Sequence, residues 1–176
     1  MTCIIGLINN KGVYIGADKS RSTSVFIHNT LIEKVFRKDE YVIAYTESFR
    51  MGQLLQHSIK LPEPPKKMTI AFMVYEFVEI VREGFKEYGY SRISSNEESA
   101  GSFIVGVNNS LFHIESDYQV DYLTDGFIAD GSGSQYALGA MEALKDVYPE
   151  SRIAQSIKIA AKFCPSVTAE HSIIKV

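Results

Sequence analysis

The sequence predicts an α+β fold with αββα layering, and three observations predict it. Short β-branched runs open the chain, two helical stretches fill its middle, and further strands, two more helices and a last strand complete it. That order places sheets inside and helices outside.

Each element has its own signal. "TCIIGLI" and "VYIGADK" are apolar runs split by "NNKG", a hairpin turn in which Asn and Gly tolerate positive φ. "IEKVFRK" and "YVIAYT" form a second hairpin around "DE". "FRMGQLLQHSIK" reads as a helix with Phe49, Leu54 and Leu55 among its apolar positions, and the prolines of "LPEPPKK" end it. From Met68, "MTIAFMVYEFVEIVREGFKEYGY" repeats Ile70, Val74, Phe77, Val78 and Val81 at helical spacing, so its Met and aromatic content reads as core. "SRISSNEESA" reads as a polar loop. "SFIVGVNN", "SLFHIES", "YQVDYL" and "GFIADGSG" are short strands, with "VNNS" the strongest turn among them. "SQYALGAMEALKDVY" and "SRIAQSIKIAAKF" are helices, the latter with Ser151 as expected N-cap, and "HSIIKV" is a final strand.

Composition sets further bounds. A chain of 176 residues, 45% apolar and 22% charged, matches one ordinary globular domain spanning 1–176. Its net charge of -3, with basic residues interleaved among acids, offers polyanions no patch, so nucleic acid is not an expected partner. No apolar run is long enough to span a bilayer, and no secretory pattern opens the chain. Cys3 and Cys164 have no metal-ligand spacing, and two thiols in such a chain predict a reducing, cytoplasmic setting. His28, His57, His113 and His171 are scattered, which predicts neither a metal nor any other cofactor.

The chemistry concentrates near the start. A threonine hydroxyl becomes a competent nucleophile when its own α-amine is free to take its proton. Thr2 qualifies once Met1 is removed, and Met before a small residue is a good aminopeptidase substrate. A three-residue loop from Asn9 to Lys11, with Ile8 opposite Gly12, sets Thr2 opposite Asp18; a two-residue loop brings Lys19 there instead. Lys34 follows Asp18 by the same interval that separates Asp18 from Thr2, within a strand-like run. A lysine ammonium held by an aspartate lowers the pKa of a neighbouring amine and hydroxyl. The rival reading of Asp18 and Lys34 is an ordinary structural ion pair.

With "TCIIGL" ahead of "GVYIGADKSRST", then "IEKVFRKDEYVIAY" and "IADGSGSQYALGAMEAL", nearly the whole chain resembles the proteasome β-type subunits and their bacterial relative HslV. These are N-terminal nucleophile hydrolases. The resemblance implies a four-layer αββα sandwich, Thr2 as nucleophile, Asp18 and Lys34 beside it, and Ser132 of "GSG" supporting the terminal amine. It also implies a homo-oligomer of stacked rings, unfolded polypeptide as substrate and an ATPase unfoldase as partner. Cys3, adjoining Thr2, reads as core filler, and capping of the helix that starts near Ser134 is the rival role for Ser132.

Three departures bear on activity. "YTESFR" stands where the family has glycine with a backbone N–H at the oxyanion position; Glu47 and Ser48 then line the oxyanion and substrate region, and a Glu47 carboxylate is unfavourable there. "AAKFCPSVTAEH" lacks the aspartate that contacts the family's serine, leaving Ser166 or Thr168 to hydrogen-bond without charge, and Arg21 follows Asp18 by three positions rather than two. The primary expectation is a threonine endopeptidase subunit of a self-compartmentalising protease. The alternative is a non-catalytic ring subunit acting as scaffold; a small-amide amidase of the same broad fold is a third.

Overall fold

Strands whose residues are apolar on both sides need cover on both faces, and the first two strands show how this chain supplies it. The computed structural model describes residues 2–22, 27–124 and 126–176. In β1 (Ile4–Asn9), Ile4 and Ile8 face one apolar layer while Ile5 and Leu7 face another. With β2 (Gly12–Asp18), β12 (Gly126–Asp130) and β13 (His171–Lys175) it forms an antiparallel sheet of order β12-β1-β2-β13. The second sheet runs β11-β10-β9-β6-β5, from β5 (Val35–Lys38), β6 (Tyr41–Tyr45), β9 (Phe103–Val107), β10 (Ser110–Ile114) and β11 (Val120–Leu123).

Three cores separate four layers. Ile4, Ile15, Val42, Ala44, Ile104 and Leu111 fill the space between the sheets. The other face of the second sheet packs on α1 (Phe49–Gln53), which continues as a π-helical turn Leu54–Ser58, and on the rod formed by α2 (Ile70–Phe72), a π-helical turn Met73–Phe77 and α3 (Val78–Glu87). The other face of the first sheet packs on α4 (Ser134–Ala143) and α5 (Pro149–Phe163) through Met141, Ile153, Ile157 and Ala160. The expected αββα sandwich is the observed architecture.

Local corrections have local causes. The first hairpin has the two-residue loop: Asn9 pairs with Gly12 and Ile4 with Ala17, so Asp18 stands opposite Cys3 rather than Thr2. Gly12 alone takes a positive φ there, at 123°, while Asn9 Oδ1 accepts from the Lys11 N–H in an Asx turn. The "DE" hairpin forms as expected, with Lys38 opposite Tyr41 and Asp39 at φ 52°. "VNNS" also holds, because Asn108 and Asn109 both adopt the left-handed conformation that a two-residue I′ turn requires.

Residues 91–100, expected as loop, contain a small hairpin of β7 (Arg92–Ser94) and β8 (Glu97–Ser99), since Ser95 and Asn96 supply the two positive φ values. Ser151 does not cap α5: the helix begins at Pro149, whose missing N–H costs nothing at a first helical position. A short ribbon of β3 (Ser20–Ser22) and β4 (Ile27–Asn29) lies between β2 and β5. Lys34 sits one residue before β5 and not within it. Among the described residues no helix is long and apolar enough to cross a membrane.

Helix α5 crosses β2 at a glycine. A Cβ on Gly16 would lie 2.5 Å from Ile153 Cγ2 and 3.2 Å from Ile173 Cγ1. Both neighbours are branched and packed, so Gly16→Ala is expected to cost about 1–3 kcal/mol through overpacking, read as a lowered urea midpoint at unchanged slope.

Candidate active site

Strand polarity gathers the candidate residues before any side chain is considered. β1 begins, and β2 and β12 end, at one end of the first sheet, as Ile4↔Ala17 and Ile4↔Asp130 require; β6 and β10 end at one end of the second, as Tyr45↔Phe103 and Ile114↔Phe103 require, and the Ser102–Asp130 hydrogen bond brings the two ends together. Thr2, Asp18, Thr46 and Ser132 leave the strands there. Lys34 joins them because its carbonyl accepts from the Tyr45 N–H at 3.0 Å.

Asp18 is the hub. Its Oδ1 accepts from Lys34 Nζ and from the Cys3 N–H, each at 2.9 Å. Its Oδ2 accepts from the Ser20 N–H at 3.1 Å, the Ser20 hydroxyl at 2.5 Å and the Thr168 N–H at 3.5 Å. Sharing one oxygen holds the Lys34 ammonium against the backbone of the residue after Thr2. Asp18 and Lys34 are each 1% exposed. Burial pulls the Lys34 pKa below its ordinary value of 10.5, and the Asp18 charge opposes that pull.

Thr2 is fixed from the other side by the turn after β12. Its nitrogen lies 3.3 Å from Ser132 Oγ, the Ser132 hydroxyl donates to the Thr2 carbonyl at 3.3 Å, and the Gly133 N–H donates to the same carbonyl at 3.2 Å. Gly131, at φ 89°, makes this approach feasible: a Cβ there would stand 2.3 Å from the Thr2 carbonyl oxygen. Gly133 is the N-cap of α4 and no side chain caps that helix, so the Ser132 hydroxyl serves Thr2 and not the helix. Ser166 Oγ lies 2.9 Å from Ser132 Oγ, filling the hydrogen-bonding place for which Ser166 and Thr168 were the candidates. The Thr168 hydroxyl is buried and has no hydrogen-bond partner among the described residues. Met1 lies outside the described residues.

The turn after β6 places Glu47 and Ser48. The Tyr45 N–H goes to Lys34 O, the Thr46 N–H to Ser102 O and the Ser48 N–H to Thr46 O, leaving the Glu47 N–H without an acceptor among the described residues. Glu47 has φ 60°, a left-handed conformation that glycine accepts at lower cost. The Ser48 side chain caps α1 by accepting from the Met51 N–H. Arg21 stacks its guanidinium over the Phe49 ring at 5.7 Å.

Sequence reasoning missed Ser20, Ser102 and Asp130. Ser20 ties Asp18 to the segment carrying Ser166, lying 3.0 Å from the Ser166 carbonyl. Asp130 accepts from the Ser102 hydroxyl at 2.5 Å, Ser102 Oγ lies 3.0 Å from Thr46 Oγ1, and Asp130 Oδ1 accepts from the Gly131 N–H. This chain links the Glu47 turn to the Gly131 turn across the two sheets. The serine after "GADK" and the aspartate before "GSG" were the available signals. Cys3 is fully buried against α4 and the turn that precedes it, and burial, reinforced by Asp18, pushes its thiol up to about 12, so the cysteine beside Thr2 stays neutral and inert.

No protein-family model matches the chain, and no curated protein sequence does. Solved structures match it over its whole length. BPH, a bacterial proteasome homologue from Thiobacillus denitrificans, superposes with TM-score 0.82 at 22% identity, over 99% of this chain and 98% of that one. The fold is that of the proteasome-type N-terminal nucleophile hydrolases. HslV from Trypanosoma brucei gives TM-score 0.69 at 21% identity, covering 98% of each chain. Anbu from Hyphomicrobium sp. strain MC1, as a Gly-1 mutant, gives 0.67 at 15% identity, over 100% of this chain and 82% of that one. BPH was also solved in complex with epoxomicin, where it matches with TM-score 0.81. In this fold the β1, β2 and β12 ends converge on one site.

The buried pair sets an energetic expectation. Lys34→Met removes the cation and leaves the Asp18 carboxylate buried and uncompensated, which is expected to cost about 3–5 kcal/mol in urea unfolding. A loss under about 1 kcal/mol would mean that the pair is solvated in solution and does not organise the site.

Proposed function

We propose that the protein is a threonine endopeptidase subunit of a self-compartmentalising, proteasome-like protease, active once Met1 is removed. One arrangement carries the reading: the Thr2 nitrogen rests on Ser132 Oγ while the buried Asp18–Lys34 pair bears on the adjacent backbone.

In this mechanism the Thr2 hydroxyl attacks the scissile carbonyl and passes its proton to the Thr2 α-amine. The oxyanion of the tetrahedral intermediate takes a backbone N–H, for which the Glu47 amide, without an acceptor among the described residues, is the candidate. The α-ammonium protonates the departing amine, leaving an ester on Thr2. Water then attacks the ester, with the α-amine again taking the proton, and releases the carboxylic acid. Lys34, kept as an ammonium by Asp18, lowers the α-amine pKa so that the base is unprotonated near neutrality, and Ser132 orients it. We place this subunit in a cytoplasmic homo-oligomeric ring fed by an ATPase; exposed Tyr75, Tyr136 and Phe163 on the outer helices are apolar surface available to subunit contacts.

The second reading, a ring subunit that acts as scaffold without catalysis, is favoured by one observation. Glu47 brings both a left-handed strain and a carboxylate to the turn where negative charge would develop.

Intact-mass measurement of untagged protein, followed by labelling with an epoxyketone, separates the two. The peptidase reading expects loss of Met1 and one adduct per chain that disappears in Thr2→Ala. Complete retention of Met1, or no adduct on a particle that light scattering shows to be a ring, leaves the scaffold. For an active enzyme, kcat/KM is expected to follow a bell in pH. The acid limb belongs to the α-amine and falls below about 7.7–8.0, the range of a free terminus. The alkaline limb belongs to Lys34 and falls below 10.5, because burial has already lowered that group and activity is lost as it deprotonates.

A further inference from the structure

At the edge of the inter-sheet space, β10 and β11 bring three ligand-type side chains onto one face. His113 and Asp121 are directly opposed in the strand pairing, and Glu115 follows His113 by two residues, so strand periodicity points all three the same way. His113 Nδ1 is 3.2 Å from Glu115 Oε1 and 4.0 Å from Asp121 Oδ2, and one ligand atom from each residue lies within 4.8 Å of the others.

The histidine supplies the independent observation. It is 4% exposed, and among the described residues its Nδ1 makes no hydrogen bond, facing the Glu115 carboxylate at 3.2 Å. Its other nitrogen is engaged: Nε2 lies 3.2 Å from Asp130 Oδ2. An ionised carboxylate only accepts, so an Nε2 proton goes to Asp130, and Nδ1 is the ring atom that faces Glu115 and Asp121. Carboxylate behind imidazole, with the free nitrogen facing oxygen ligands, is the arrangement of a metal-ligating histidine and its outer partner.

We propose that His113 Nδ1, Glu115 and Asp121 form a binding site for a divalent transition-metal ion, with Asp130 orienting the histidine. The expectation that the scattered histidines hold no metal rested on spacing along the chain, whereas this site is assembled across a strand pair. One imidazole with two carboxylates suits Zn²⁺, Co²⁺ or Mn²⁺ over Mg²⁺ or Ca²⁺. Four-coordinate zinc with bonds of 2.0–2.2 Å sets ligand atoms roughly 3.4 Å apart, so small rotations of Asp121 and Glu115 close the site and water completes it. Both carboxylates are about half exposed and leave an entry path from solvent.

The test is calorimetric titration of chelator-stripped full-length protein with Zn²⁺, together with Co²⁺ absorption spectra. One ion per chain is expected, weakened about tenfold or more by Glu115→Gln and by Asp121→Asn and also weakened by Asp130→Asn, with the visible Co²⁺ bands lost in His113→Gln. Should His113→Gln fail to fold, the two half-exposed carboxylate variants decide the matter alone. Wild-type protein that binds no Zn²⁺ with a dissociation constant under about 100 µM overturns the proposal, as does binding unchanged in both carboxylate variants. Thr2 takes no part in either measurement, so the result is separate from the peptidase reading.

Discussion

A buried carboxylate and a buried ammonium organise the end of this molecule that holds the candidate site. Taking either ion out of water costs several kcal/mol, and the Asp18–Lys34 pair is tolerable only because every Asp18 oxygen is met by donors from three chain segments. Those donors belong to the chain just before β1, to the start of β3, and to the approach to β13. The same charge therefore fixes three strand ends relative to one another. Displacing any of them exposes an unpaired ion, which makes the arrangement stiff without a large apolar contribution.

That stiffness is what the proposed chemistry requires. A proton relay between a hydroxyl and its own amine tolerates little positional error, and Thr2 is held on both sides: by Asp18 through the Cys3 N–H, and by the Gly131 to Gly133 turn through its carbonyl and nitrogen. Gly131 is the point of closest approach, where any side chain would collide with the Thr2 backbone. A second polar chain, Thr46 to Ser102 to Asp130, braces the same end from the other sheet. Asp130 Oδ2 thus meets both Ser102 and His113, connecting the strand ends around Thr2 with the ligand cluster at the β10 and β11 edge.

Part of this was legible without coordinates. Unbroken apolar runs such as "CIIGLI" and "FIVGV" announced strands buried on both faces, and the Asp39-Glu40 and Asn108-Asn109 turns fixed their hairpin registers by backbone chemistry alone. The first hairpin was ambiguous by one residue because "NNKG" permits more than one loop. The structure's choice moved Asp18 from Thr2 to Cys3, although the carboxylate still reaches the Lys34 ammonium. The β7–β8 hairpin was hidden because its strands are polar and mostly exposed, leaving no alternation to read.

The sequence by itself determined the layered architecture, the order of its elements and the presence of Thr2, Asp18, Lys34 and Ser132, because hydrophobic period and turn residues act locally along the chain. Only the tertiary structure decided which donors meet Asp18, that Ser166 stands behind Ser132, that the Glu47 amide meets no acceptor among the described residues, and that His113 faces two carboxylates. Those facts depend on contacts between segments far apart in sequence. Such pairings are set by packing distance and by the cost of burying unpaired polar atoms, and neither quantity exists until the sheets have closed on one another.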